Sequence, residues 1–282
     1  MMEYAIEMNH IVQRFGEKEV LKGIDLKVAR GEIFGLLGPS GAGKTTLIKI
    51  LTGQLCQTGG EAVLLGSDTK HAQNIHRRLG MMMDNFGLYE RLSVSDNLKL
   101  FAAIYGVSRV KMDEALKKVG LYKDKKCPAM KLSKGMRSRL SLARAVIAEP
   151  DVLFLDEPTS GLDPATAAEI HQLIQKEQEK GATIFLTTHN MEEAHKLCNH
   201  VVLLNEGKIV EYGEPEEVCR RYNHQNKLQI RLYDGKQIEL PNNKTAADKM
   251  KKYLEEEAVE TIHSTEPSLE TVFMELTGRS FE

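Results

Sequence analysis

The stretch GPSGAGKTT, residues 38–46, constrains this chain more than any other. It matches G-x-x-x-x-G-K-[ST], follows the apolar run EIFGLLG (32–38) and opens the helical pattern KTTLIKILTGQ (44–54). That strand–loop–helix context is what the motif requires. Gly38, Gly41 and Gly43 let the backbone wrap tightly with its N–H groups pointing inward, and a helix N-terminus adds roughly half a positive charge. Gly38, Pro39, Ser40, Gly41, Ala42, Gly43, Lys44, Thr45 and Thr46 therefore read as a phosphate cradle. Lys44 falls on the β- and γ-phosphates, and Thr45 supplies the expected hydroxyl ligand for Mg²⁺.

Two further strand ends carry chemistry. VLFLDE (152–157) is four apolar residues delivering Asp156 and Glu157 to the C-terminal edge, where parallel sheets bind ligands. Asp156 is expected to hold Mg²⁺ through water, and Glu157 to polarise an attacking water as general base. By itself this pair equally suits a surface strand end; beside a phosphate loop the chemical reading is favoured. FLTTHNMEEA (185–194) brings His189 to the same edge, in reach of a γ-phosphate oxygen or the attacking water. A lone histidine is more often structural, and only the other motifs lift His189 above that. His171, His195 and His200 have no such setting.

Short apolar strands followed by helical patterns, as in DVLFLDEP (151–158) then ATAAEIHQLIQKEQEKG (165–181), indicate an α/β fold with strands buried on both faces of a parallel sheet. The N-terminal YAIEMNHIVQRF and VLKGIDLKVARGE alternate instead, as antiparallel strands do. HVVLLNEGKIV (200–210) reads as one strand, and residues 90–148 as helices inserted between the halves of the sheet. Near 220–226 the texture turns polar. Beyond it a hairpin with a two-residue Asp234-Gly235 turn, a helix, a short strand and a last helix opening near Pro267 make a small α+β tail. The expected domains are 1–222, with a helical subdomain at about 85–149, and 223–282.

At 282 residues and 41% apolar content the chain can bury a sizeable core. Its 38 Lys plus Arg against 40 Asp plus Glu give no reason to expect a nucleic-acid partner. Cys56, Cys127, Cys198 and Cys219 are scattered without a CxxC pair, as free thiols of a reducing compartment are. The opening MMEYAIEMNHIVQRFG has no basic cap before an apolar run, and no run approaches the roughly 18 residues of a membrane span. The chain is expected to be soluble, with any membrane role coming through a partner.

KLSKGMRSRLSLARAV (131–146) is a helix former whose start, with Ser133 as a cap, also holds Lys134, Arg137 and Arg139. That is more positive charge than a cap needs, as if an anion were awaited. Together with the motifs above, in the same order over roughly residues 3–220, it resembles the nucleotide-binding subunit of an ABC transporter. The resemblance implies a P-loop ABC ATPase core with a mixed sheet, an antiparallel β subdomain and a helical subdomain. It implies ATP and Mg²⁺, and head-to-tail pairing with itself or a homologous ATPase subunit. Ser133 and Gly135 then fall at the signature that closes on the partner's γ-phosphate, Asp163 in SGLD (160–163) at the loop joining the two sites, and Phe15 where an aromatic stacks on adenine. Core packing is the other reading of Phe15.

Two departures stand out. LSKGM replaces the usual LSGGQ; Lys134 either adds positive charge toward the partner's ATP or points to water. Asp84, in GMMMDNFGLYERLSV, aligns with a glutamine that contacts Mg²⁺ and links nucleotide to membrane partner. Phe86, Leu88 and Tyr89 either pack in the core or line a groove for a permease helix. The tail EPSLETVFMELTGR (266–279) resembles the ending of bacterial drug, antibiotic and sodium exporter ATPases. The implied function is an ATPase on the cytoplasmic face of the membrane, driving export through a separate membrane-spanning permease. A soluble ABC-type ATPase acting on a nucleoprotein partner and a small-molecule kinase are the alternatives; the first normally needs a coiled-coil insertion or tandem ATPase domains, and the second leaves Ser133–Gly135 and His189 unexplained.

Overall fold

The computed structural model describes residues 4–70, 75–83, 87–224 and 226–278. They form two compact units that divide between Glu214 and Pro215; the polar stretch at 220–226 lies inside the second.

The first unit opens with β1 (Tyr4–Phe15) and β2 (Lys18–Ala29), antiparallel through a turn at Gly16. β3 (Ile33–Leu37) runs into the phosphate loop and α1 (Lys44–Leu51). β4 (Gly59–Leu64) and β5 (Ser67–Asp68) complete an antiparallel sheet of order β2-β1-β4-β5. β6 (Leu79–Met82) precedes the helices α2 (Val94–Tyr105), α3 (Arg109–Lys118) and α4 (Lys134–Val146). Then come β7 (Val152–Asp156), α5 (Pro164–Glu179), β8 (Thr183–Thr188), α6 (Met191–Leu197), β9 (His200–Asn205) and β10 (Lys208–Gly213).

The second sheet has order β10-β9-β3-β8-β7-β6, parallel except for β10. Every residue of β3, β7 and β8 is buried, which is why these strands read as unbroken apolar runs. Phe185 sits at the centre, its ring centroid 5.6 Å from those of both Phe34 and Phe154.

The stretch expected as one strand at 200–210 is two. Glu206 and Gly207 both adopt positive φ (47° and 78°) and turn β9 back into β10, the left-handed pair that a tight hairpin uses. A Cβ on Gly207 would lie 2.1 Å from the Val20 carbonyl oxygen, so tertiary packing selects glycine there.

The α2–α4 region has its own core, with Leu98, Leu116, Leu121 and Leu140 fully buried. Each of its helices begins at a serine whose hydroxyl accepts an early backbone N–H: Ser93, Ser108 and Ser133. Asn97, fully buried on α2, ties down the loop before that helix. It accepts from the Tyr89 N–H (2.9 Å) and donates to the carbonyls of Tyr89 (3.1 Å) and Ser93 (3.0 Å). Arg144 of α4, also buried, donates to the Gly87 carbonyl and stacks 4.8 Å over Phe101. Replacing Asn97 with Ala strands these backbone groups and is expected to cost about 2 kcal/mol of stability, read as a lower midpoint in urea unfolding.

The second unit comprises α7 (Pro215–Arg221), β11 (Lys227–Leu232), β12 (Gln237–Pro241), α8 (Ala247–Glu255), β13 (Val259–Ser264) and α9 (Leu269–Thr277). Its sheet, β12-β11-β13, packs Ile230, Leu232 and Leu240 into a small core. The hairpin turn is longer than the two residues expected. Residues 233–236 lie between the strands, Gly235 alone among them has positive φ, and the Leu232 N–H closes the loop on the Lys236 carbonyl at 2.9 Å. Asp234 instead accepts from the Lys236 backbone N–H.

Candidate active site

Adjacency in the sheet brings the three motifs together. β8 lies between β3 and β7, with Leu37 opposite Thr188 and Asp156 opposite Thr187. The phosphate loop, His189 and Glu157 therefore leave neighbouring strands at one C-terminal edge.

The loop from Gly38 to Gly43 is shaped by what cannot fit in it. A Cβ on Gly38 would lie 2.4 Å from the Leu204 carbonyl oxygen; one on Gly43, where φ is +116°, would lie 2.7 Å from a Leu21 methyl. Gly41 has open space but a φ of +80°, which side chains disfavour. Pro39 is half-buried, Ser40 exposed and Ala42 buried. α1 starts at Gly43 with no side-chain cap and no acidic residue in its first turn, so its leading N–H groups and dipole are available to an anion. Thr45 is exposed and Thr46 half-buried on that turn. The Lys44 ammonium donates to the carbonyls of Gly38 (2.5 Å) and Pro39 (3.3 Å). Burial lowers its pKa, opposed by the charges of Glu157 and Asp156.

Glu157 takes a φ of +52°, a conformation costing a non-glycine residue about 1–2 kcal/mol. Its N–H still bonds the Thr187 carbonyl at 3.0 Å, so the turn is fixed by β8. Glu157 Oε2 lies 2.6 Å from His189 Nδ1, and Oε1 lies 3.9 Å from Lys44 Nζ. Burial pushes its carboxyl pKa up, while His189 and Lys44 pull it back. A carboxylate held half out of water beside a phosphate loop is suited to accept a proton. Asp156 is buried, and the Thr187 hydroxyl donates to one of its oxygens.

The signature segment is built separately. Ser133 Oγ accepts the Met136 N–H at 3.2 Å and so caps α4. A Cβ on Gly135 would lie 2.6 Å from the Thr166 methyl, so α4 and α5 meet at their N-terminal ends. Asp163 caps α5 in the same manner, accepting from the Thr166 N–H and hydroxyl at 3.0 and 2.7 Å. Those bonds hold its carboxyl pKa below the usual range.

Of the three cations counted at this helix start, two are engaged. Arg137 donates to the Met130 carbonyl at 2.9 Å and approaches Glu90 at 3.8 Å, and Arg139 pairs with Glu169 at 2.9 Å. Lys134 Nζ hangs over Gly161, 2.4 Å from where a Cβ would stand on that residue.

Residues 21–160 match the ABC transporter family. A fluoroquinolones export ATP-binding protein of Mycobacterium tuberculosis is 40% identical over 264 residues, covering 92% of this chain and 88% of that protein. The chain belongs to the ABC transporter family. A bacitracin transport ATP-binding protein of Enterococcus faecalis is 36% identical, covering 84% of this chain and 77% of that protein. A component of an ABC transporter complex from Clostridium perfringens superposes with a TM-score of 0.69 at 30% identity, over 77% of this chain and 90% of that one. This chain is thus an ATP-binding and ATP-hydrolysing ABC subunit, in the group whose named relatives serve export.

Within that ABC frame, Phe15 is 51% exposed at the end of β1, so core packing does not explain it. Tyr89 is exposed, while Leu88 packs against the helical core. Asp84 and Phe86 lie outside the described residues. No helix of the described residues is long and apolar enough to cross a membrane.

Sequence reasoning missed a buried network beneath the site. Glu193 Oε1 accepts the Thr159 hydroxyl at 2.6 Å and lies 2.9 Å from His171 Nε2. Ser138 of α4 donates to the Pro158 carbonyl at 3.1 Å. The loop after β7 is thereby tied to α4 and to Glu193 of α6, which also meets His171 of α5. His171 carried no signal in the sequence, because its partner is 22 residues away.

Proposed function

We propose that two copies of this chain, or this chain and a homologous ATPase subunit, pair head to tail around two ATP molecules and drive export through a separate membrane-spanning permease. The observation that carries this is Glu157 bridging His189 (2.6 Å) and Lys44 (3.9 Å) at the mouth of a phosphate loop. In each site a water attacks the γ-phosphorus, its proton passes to Glu157, and the bond to the ADP oxygen breaks. Lys44 and the loop N–H groups hold the β- and γ-phosphates. His189 keeps Glu157 aimed. Phe15 offers its exposed ring to adenine, and Ser133 and Gly135 of the partner copy close over the γ-phosphate. Asp163, held by its capping bonds to Thr166, stands between the sites.

Thr45 and Asp156, with Asp84 through water, are the residues that would hold Mg²⁺. Their donors are hard oxygens. Hard oxygen donors of this kind suit Mg²⁺. Such an ion neutralises phosphate charge during transfer.

The first compact unit serves as the ATPase domain and the second, which opens at Pro215 rather than at the expected residue 223, as an accessory tail. The exposed Tyr89 faces the permease, which keeps the subunit at the cytoplasmic face of the membrane. The fluoroquinolone and bacitracin in the names of two relatives support a drug or antibiotic cargo.

Sedimentation of the Glu157→Gln protein with ATP tests the pairing. A monomer-to-dimer shift that Ser133→Arg abolishes is expected. Nucleotide binding by a chain that stays monomeric at every concentration, alone or with its permease, overturns it.

A further inference from the structure

A second cavity lies on the first unit, outside the nucleotide loop, where one face each of α3, α4 and α5 converge. Its volume is about 470 Å³, within the range of small-molecule sites. Ala115, Val119, Leu142, Val146, Ile147 and Leu173 form an apolar floor. Lys111 pairs with Glu149 at 3.0 Å and Lys180 with Glu177 on the rim. Lys118 and Lys176 share the rim with Glu114 and Glu179, so this first lobe is balanced in charge; neither lysine forms an ion pair with any described residue, although Lys118, after Lys111, helps to lower the Glu149 carboxyl pKa.

These two lysines and the floor residues Val119 and Leu173 also line an adjoining cavity of about 230 Å³. There Lys117, Lys118, Arg139 and Lys176 face one carboxylate, Glu169, which Arg139 already engages at 2.9 Å. The cleft therefore has an apolar lobe joined to a cationic lobe. A hydrocarbon leaves water favourably in the first. The second has surplus charge for an anion, and clustered cations of this kind raise its local concentration.

We propose that this cleft binds a single-chain amphiphile with an anionic headgroup, of the fatty-acid class: the chain against Leu142, Val146 and Leu173, the headgroup between Lys118 and Lys176. A neutral amphiphile forgoes the charge, and a hydrophilic anion forgoes the apolar lobe. The occupant would wedge between α4 and α5, the helices that begin next to Ser133 and Asp163.

Calorimetric titration of the full chain with sodium dodecanoate, kept below its micelle concentration, tests this. One saturable site per chain is expected, unaffected by saturating ATP. Dodecyl maltoside and dodecyltrimethylammonium should bind at least tenfold more weakly. Lys118→Glu with Lys176→Glu should weaken dodecanoate at least tenfold; both residues are exposed, and a thermal melt checks that the variant folds. Leu173→Gln, tested in the same way, should weaken it without altering the headgroup preference. Absence of saturable binding, competition by ATP, equal binding of the cationic amphiphile, or indifference to the double charge reversal overturns the proposal.

Discussion

Glu157→Gln lowers ATP turnover by about 10²–10⁴-fold while leaving nucleotide affinity within a few-fold of the parent. The size is that of removing a general base. Gln keeps the shape of Glu and can still meet His189, so the phosphate loop is undisturbed; only the proton acceptor is lost. Steady-state phosphate release and equilibrium nucleotide binding separate the two effects. A glutamine form that turns over within tenfold of the parent would mean that another group takes the proton.

The same residue sets the pH dependence. Glu157 must be ionised to act, and burial raises its pKa above that of an exposed glutamate. Its protonated fraction therefore grows at a higher pH than usual, and activity is lost as pH falls through that raised value. The acid limb of the pH–rate profile should lie above that expected of an exposed glutamate. His189 pulls the Glu157 pKa down; His189→Ala should move the limb to still higher pH as well as slowing turnover.

Gly38→Ala is expected to weaken nucleotide binding by roughly a hundredfold. The added methyl would stand 2.4 Å from the Leu204 carbonyl oxygen. That atom belongs to β9, bonded on both sides in the mixed sheet, and cannot yield. The phosphate loop has to move by about an ångström instead, a displacement that costs on the order of 10²-fold in a positioned site. Gly41→Ala meets no atom within 4 Å and carries only the cost of its left-handed φ, so it should weaken binding far less. Equilibrium titration with a fluorescent ATP analogue ranks the two. The reverse order would place the constraint in backbone freedom rather than in steric contact.

Much of the site was legible because its parts are local in sequence. A phosphate loop is one continuous run with a strand before it and a helix after it. Asp156, Glu157 and His189 each end an apolar strand, and buried parallel strands announce themselves by composition. The Ser133 cap of α4 was local too. Contacts between distant segments were not legible. Nothing near Arg137 or Arg139 in sequence shows that Glu90 and Glu169 engage them, so the start of α4 seemed more positive than it is. The β9–β10 turn was hidden because a glutamate is an unusual choice for a left-handed φ; the need for glycine beside it comes from Val20, over 180 residues earlier.

The amino-acid sequence alone determined that a triphosphate-binding α/β core is present and which side chains stand at its strand ends, since strand burial, loop curvature and helix capping depend on neighbours a few residues apart. Only the tertiary structure decided that β8 separates β3 from β7, that Glu157 meets both His189 and Lys44, that Lys134 lies over Gly161, and that three helices leave a cleft with one oily and one cationic end. Those facts depend on which distant segments share a surface, and that is settled when the whole core packs.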